Sequence, residues 1–311
     1  MPHQPASAER DQTFAWFLAS ARQGNPYAQF NLAMLYKNGD GVPRNDAAAV
    51  AWLRRAAGQR LAFAQNQLGA MLYSGRGGPC DDRAAAYWLR CAADQGDASA
   101  QQNLGLLYCQ GRGVERDFEA ALGWFYRAAE QGMATAQTLL AECYLHGRGV
   151  PVNYPLAAAW LRKAAGQGDA AAQFNLGVMH ATGQGLAPDC ARAARWYALA
   201  ATQGDASAQN NLAVLYATGD GVRRDDWRAA HWYRAAAEQG HVLAQYNLSG
   251  MVGSVRAGAP DPVQAHMWML LAASSGDAAA RASADAGARR LTPRQCAAAA
   301  DMARAWQRAR S

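Results

Sequence analysis

Histidine, cysteine and paired glycine are the residues of this chain that could carry chemistry, and their spacing assembles no catalytic or metal-binding motif. His146, His180, His231, His241 and His266 stand apart from one another, with no HExxH and no His or Cys pair at ligand separation. A lone histidine of this kind is expected at the surface or satisfied by a neighbour. Gly-x-Gly recurs, as at Gly39–Gly41 and Gly111–Gly113, but it would cradle a phosphate only behind a strand. No strand-like run precedes it and Gly-x-Ser-x-Gly does not occur, so these glycines read as helix terminators. The expectation is a non-enzymatic protein with no catalytic residue, no metal ligand and no cofactor.

Six cysteines (Cys80, Cys91, Cys109, Cys143, Cys190 and Cys296) show neither CxxC nor paired spacing and read as free thiols of a reducing compartment. The start, MPHQPASAERDQ, lacks the apolar stretch and cleavage site of a secretory signal, and no window approaches 18 apolar residues. A cytoplasmic location is the expectation. Net charge is +6 with a pI near 9.1, carried by arginines scattered through the chain without a basic run of five. That favours solubility and acidic partners, and argues poorly for nucleic acid.

The elements that must position any site announce themselves by period. Gln29, Gln65, Gln101, Gln137, Gln173, Gln209 and Gln245 are evenly spaced, and Trp16, Trp52, Trp88, Trp124, Trp160, Trp196, Trp232 and Trp268 recur in phase with them. A constant interval of this length marks a repeat array, because a short unit with one apolar face is buried only by stacking on copies of itself. Such a chain works through its surface. The 51% apolar fraction is inflated by alanine, which packs helices closely but implies no large globular core.

One unit runs from Asn25 to Ala57. Asn25-Pro26 caps and opens helix A, and Gly39 closes it in the left-handed conformation. Asp97, Asp169, Asp205 and Asp277 hold the equivalent cap, whereas Leu61, Met133 and His241 predict frayed or differently capped starts. Helix B follows a second cap position that is Asn or Asp throughout: Asn45, Asp81, Asp117, Asn153, Asp189, Asp225 and Asp261. An alanine three before each tryptophan (Ala49, Ala85, Ala121 and onward) lets helix axes approach, and the indole fills the seam, so the tryptophan stripe is packing rather than a cofactor site.

Segments such as Ala28–Val42 (AQFNLAMLYKNGDGV), Ala100–Val114 and Ala208–Val222, each followed by a WLR or WYR plus AA element, resemble Sel-1-like repeats, the relatives of the tetratricopeptide repeat. The resemblance implies an all-α, right-handed superhelical α-solenoid of antiparallel helix pairs, with a bacterial origin and a scaffold or adaptor role. Residues 1–11 read as a flexible N-terminus and 12–289 as the array, comprising a leading helix B, seven full repeats and a final helix A. Residues 290–311 read as a capping helix with Thr292 as N-cap, Gln295 completing a capping box, and Cys296, Met302 and Trp306 covering the end of the stack. The second copy departs at Arg60, Leu72 and Gly77–Cys80, the seventh at Gly250, Gly253 and Gly258–Pro260.

Helix A lines the concave side in tetratricopeptide-like arrays, so the resemblance assigns ligand contact to its variable positions. These give Tyr27, Phe30, Met34, Lys37, Phe63, Tyr73, Phe174 and Tyr246 as groove residues for a peptide or helix of a partner protein. Asn66, Gln102, Leu106 and Gln110 add amides and apolar surface. Arg76, Arg112 and Arg148, in three successive Gly-Arg-Gly turns, form an expected basic ladder at roughly 10 Å spacing. Two other readings follow. An arginine edge could bind nucleic acid, and cysteine-rich secreted relatives carry β-lactamase-like or penicillin-binding activity. This chain lacks their in-register cysteine pairs, so small-molecule turnover is the weaker expectation.

Overall fold

The computed structural model describes residues 5–254 and 258–310, with side chains from residue 12. The described residues form helices and no strand. Helix B of successive copies supplies α1 (Pro5–Arg22), α3 (Asp46–Gly58), α5 (Asp82–Ala93), α7 (Phe118–Glu130), α9 (Tyr154–Gly166), α11 (Cys190–Thr202), α13 (Asp226–Glu238) and α15 (Pro262–Ala273). Helix A supplies α2 (Pro26–Asn38), α4 (Ala62–Ser74), α6 (Ala98–Gln110), α8 (Ala134–His146), α10 (Ala170–Thr182), α12 (Ala206–Thr218), α14 (Val242–Val252) and α16 (Ala278–Ala288). A last helix, α17, spans Pro293–Arg308. Helix α1 reaches back to Pro5, into the stretch expected to be a flexible lead.

The chain divides into two compact units, Met1–Asn153 and Tyr154–Ser311. Within each, a helix A packs against its own helix B and against the helix B before it, as α4 does with α5 and α3, and α12 with α13 and α11. The first unit buries Leu32, Leu68, Leu104 and Leu140, one per helix A, against Ala49, Leu53, Ala85 and Ala121 of the B helices. Leu176, Leu212 and Leu248 repeat the arrangement in the second. Alanine at the contact positions lets the axes close up, which is why so alanine-rich a chain still excludes water.

Caps follow the sequence closely. Asn25 accepts from the amides of Tyr27 and Ala28, and Asp97, Asp169, Asp205 and Asp277 each accept from the third helical amide. Leu61 and Met133 supply no side-chain cap, whereas His241 does, its Nδ1 lying 3.3 Å from the Ala244 amide. The B-helix caps Asn45, Asp81, Asp117, Asp189, Asp225 and Asp261 all accept as expected. Helix A closes on a left-handed glycine at Gly39, Gly75, Gly111, Gly147, Gly183 and Gly219. The seventh copy loses this closure, for α14 ends at Gly253 with φ −74°.

The second glycine of each turn does more than reverse the chain. A Cβ on Gly77, Gly113 or Gly149 would overlap the backbone carbonyl of Asp46, Asp82 or Phe118, at the start of the helix B one copy earlier. The turn thus lies flat on the preceding repeat, an approach open only to glycine. Arg60 is the exception at a different site. It holds φ 65° where Gly24, Gly96 and Gly132 hold the equivalent turn, and among the described residues no other non-glycine has positive φ.

The recurring glutamine is a buried connector, a role its spacing alone does not reveal. Gln65 is 3% exposed; its Nε2 donates to the Ala57 carbonyl at 3.1 Å, and its Oε1 accepts from Gln95 Nε2 at 2.6 Å. Gln101 repeats the pattern with Ala93 and Gln131, Gln173 with Ala165 and Gln203, and Gln209 with Ala201 and Gln239. Each glutamine ties its helix A to the B helices on both sides, adding a second donor to a helix-end carbonyl that already accepts from the amide three residues on, as Ala93 does from Gly96 at 3.0 Å.

The tryptophans pack, but unequally. Trp160 and Trp268 are buried, Trp52, Trp88, Trp124 and Trp232 border the core clusters, and Trp16 is exposed. Arg55, Arg127 and Lys163, one turn on, lie over Trp52, Trp124 and Trp160 at 4.4, 4.5 and 3.9 Å. Helix α17 carries the expected capping box at Thr292 and Gln295. It folds back on α15, burying Ala299 and Ala303 beside Trp268, with Trp306 at 6.2 Å from that indole. Met302, expected to cover the end of the stack, is exposed instead.

Candidate interaction surface

Of the expected groove residues, Tyr27, Phe30, Met34, Lys37, Phe63 and Tyr73 lie on the A helices α2 and α4 of the first unit. Tyr27 and Phe63, one position before the buried Ala28 and Ala64, are 64% and 61% exposed. Phe30 and Met34, expected as partner contacts, instead turn inward and pack on the cluster around Ala49, Leu53 and Leu68, because their helix positions face the neighbouring helices. Lys37 donates to Gln67 Oε1 at 2.7 Å, and burial, then the nearby Arg76, hold its ammonium below the ordinary lysine range.

A small cavity opens between α4 and α6. It encloses about 120 Å³, with Leu89, Leu106 and Leu107 as apolar walls and Tyr73, Asn103 and Gln110 at the rim. Its position is set by Gly69, where a Cβ would strike Leu89, and by Ala70, whose small side chain leaves the mouth open. Tyr73 is held in place twice: its hydroxyl donates to Gln110 Oε1 at 3.0 Å, and the Arg112 guanidinium lies 3.9 Å above its ring. Next to it, Asn66 donates to Asp97 and accepts from Asn103, so the amides of this face are already oriented.

Arg76, Arg112 and Arg148 do not form a row of three available cations. Arg76 pairs with Asp46 at 2.9 Å and Arg112 with Asp82 at 2.7 Å, each across one repeat. Asp46 also pairs with Arg44 at 2.8 Å; hydrogen bonds from Arg44 first and Arg76 second hold its carboxyl far below the ordinary range. The residue that would pair with Arg148 is Phe118, which has no carboxylate, and Arg148 is exposed without an ion pair among the described residues.

In the second unit Phe174 packs 6.0 Å from the Tyr197 ring, while Tyr246 is partly exposed with its hydroxyl 3.4 Å from Ser283 Oγ. Thr182 and Thr218 donate to carbonyls of their own helices. His180 and His266, expected at the surface or satisfied, are buried with Nδ1 unpartnered, and burial lowers the pKa of both rings. His180 takes the position of Tyr36, Tyr108, Tyr144 and Tyr216, and His266 that of Ala86, Ala158, Ala194 and Ala230, so each is a buried departure from the repeat.

Among the described residues no group of three His, Cys, Asp or Glu is placed to hold a metal, and no helix is long and apolar enough to cross a membrane. The cysteines are unpaired; burial pushes the Cys143 thiol up to about 12.

Helix pairs at a fixed interval, packed on their neighbours in sequence within each unit, define an α-solenoid. The chain belongs to the Sel1 repeat family, whose model matches residues 7–25, 26–60, 62–97, 98–133, 134–169, 170–205, 206–241 and 242–277. It is similar to c5321, a protective antigen of uropathogenic Escherichia coli strains with an SLR fold, at 35% identity and TM-score 0.80, over 94% of this chain and 62% of that one. It therefore spans less than two thirds of that relative. A Sel1 repeat protein from Oxalobacter formigenes is likewise 35% identical, with TM-score 0.74, over 89% of this chain and 81% of that one. No curated protein matches the sequence.

Proposed function

We propose that the protein is a non-catalytic scaffold whose first unit holds a peptide or helix of a partner protein on the face of α2, α4 and α6. The observation that carries this reading is the cavity beside Tyr73, apolar within and rimmed by fixed amides, with exposed Phe63 and Tyr27 alongside. An apolar anchor fits the cavity while its backbone meets Asn103 and Gln110, the combination by which helical grooves take peptides. In this reading the protein works in a reducing compartment, its thiols unpaired. Binding of nucleic acid through the arginine edge is disfavoured, since Asp46 and Asp82 already neutralise two of the three cations there.

The test is affinity capture from bacterial lysate with the native chain, Ala70→Trp, which plugs the cavity from its exposed rim, and Phe63→Ser, which removes an exposed ring. A protein retained by the native chain and lost by both variants supports the groove. Identical partners from all three would refute it, and nitrocefin turnover above a heat-killed control would refute the non-catalytic part.

A further inference from the structure

The second unit contains a cavity that its own repeat pattern should have filled. This cavity of about 240 Å³, open to solvent on one side, lies between α14, α15 and α16, with far more room than one ordered water requires. In earlier copies the position of Gly287 carries Met71, Leu107, Met179, Leu215 and Met251, all buried side chains of the core. Glycine there leaves the space open. The position of His266 holds Ala86, Ala158 and Ala194 in earlier copies, buried and apolar.

Here a histidine 7% exposed lines the cavity, its Nδ1 buried without a hydrogen-bond partner. An idealised Cβ on Gly287 would lie 3.4 Å from that nitrogen, so the ring atom faces the vacated space. Burial lowers the pKa of the imidazole and so favours its neutral form. Ser249 and Ser283 add hydroxyls, Met269 an apolar wall, and Arg290 stands at the lining with an exposed side chain and no ion pair among the described residues. A buried polar atom left without a partner is destabilising, and a ligand oxygen would satisfy it.

We propose that this cavity binds a small organic acid, its carboxylate on the Arg290 guanidinium and a second oxygen, hydroxyl or carbonyl, on Nδ1 of His266. The carboxylate follows from the free guanidinium, whose planar fork matches it. The second oxygen follows from the neutral imidazole, and the short carbon chain from Met269 and Leu291. The site belongs to the second unit, the peptide face proposed above to the first, and the proposal does not depend on that reading.

The test is an imidazole NMR titration of the full-length protein, with the His266 resonance assigned by its loss in His266→Asn. The probes are 2-hydroxyisovalerate, isovalerate lacking the second oxygen, and 2-hydroxyisovaleramide lacking the charge. A saturable His266 shift is expected with the hydroxy acid, at least tenfold weaker binding with either control, and a similar loss in Arg290→Gln. Gly287→Leu, which restores the residue type of the other copies, should abolish the shift while the circular dichroism stays native. No saturable shift with any probe, or an equal one in Gly287→Leu, overturns the site. Unchanged affinity in Arg290→Gln overturns the carboxylate assignment.

Discussion

Replacing Gln101 by methionine tests whether the buried glutamine row holds the repeats together. Methionine is close in length and flexibility, so the substitution removes two hydrogen bonds without a large cavity. The Ala93 carbonyl, now 3.1 Å from Gln101 Nε2, keeps the Gly96 amide at 3.0 Å but loses its second donor, at about 0.5–1.5 kcal/mol. Gln131, whose Nε2 lies 2.8 Å from Gln101 Oε1, is exposed and can turn to water, so its loss adds about 0.5–1 kcal/mol. Methionine's better burial returns part of this, leaving a net destabilisation of about 0.5–2 kcal/mol. Urea unfolding followed by tryptophan fluorescence reads the change directly. A double-mutant cycle with Gln131→Ala isolates the bond between the two amides, with a coupling of about 0.5–1.5 kcal/mol. An unchanged midpoint in Gln101→Met, or zero coupling in the cycle, would refute the connector role and reduce the periodic glutamine to a space-filler.

Three further outcomes follow from the turns and the buried rings. Arg60→Gly should raise the melting temperature, because relief of a left-handed arginine, about 1–2 kcal/mol, exceeds the added chain entropy of glycine, about 0.4–1 kcal/mol; a lower Tm would mean that the arginine side chain stabilises more than its backbone costs. Gly113→Ala should destabilise by about 3 kcal/mol or more, since positive φ and overlap with the Asp82 carbonyl act together, whereas Gly123→Ala, with open space around it, should stabilise slightly; calorimetry that cannot tell the two apart contradicts the close approach. His180, His241 and His266 all have pKa values lowered chiefly by burial, so the unfolded chain takes up more protons below about pH 6.5 and stability must fall as pH drops from 7 toward 5. Thermal melts across that range check this; a Tm that rises on acidification would reverse the sign.

Most of the fold was legible because its signals are local or strictly periodic. A cap such as Asp97 acts on its own helix, a closing glycine such as Gly111 on its own turn, and the tryptophan period needs no knowledge of what touches what. The surface was less legible because its residues answer to neighbours a repeat away. Arg76 and Arg112 read as free cations until Asp46 and Asp82, each 30 residues earlier, are placed opposite them. Phe30 and Phe174 read as anchors because an aromatic on helix A has the same spacing whether it faces solvent or a core.

Two offsets turn that difficulty into a rule. Contacts across the stack join residues 30 apart, as in Gln59 with Gln29, Lys37 with Gln67 and Arg112 with Asp82. Contacts along the A-helix face join residues 37 apart, as in Tyr73 with Gln110, Asn66 with Asn103 and Asn210 with Asn247. A polar side chain with a matching residue at either offset is committed to the solenoid, and altering it should change stability before it changes binding. Side chains without one carry no such duty. Tyr27 and Phe63 on the A-helix face, Arg148 opposite Phe118 and Arg290 beside His266 are of that second kind. Selection on these positions is therefore free to follow a ligand, and substitutions there should alter recognition while the unfolding midpoint stays within about 0.5 kcal/mol of the native chain.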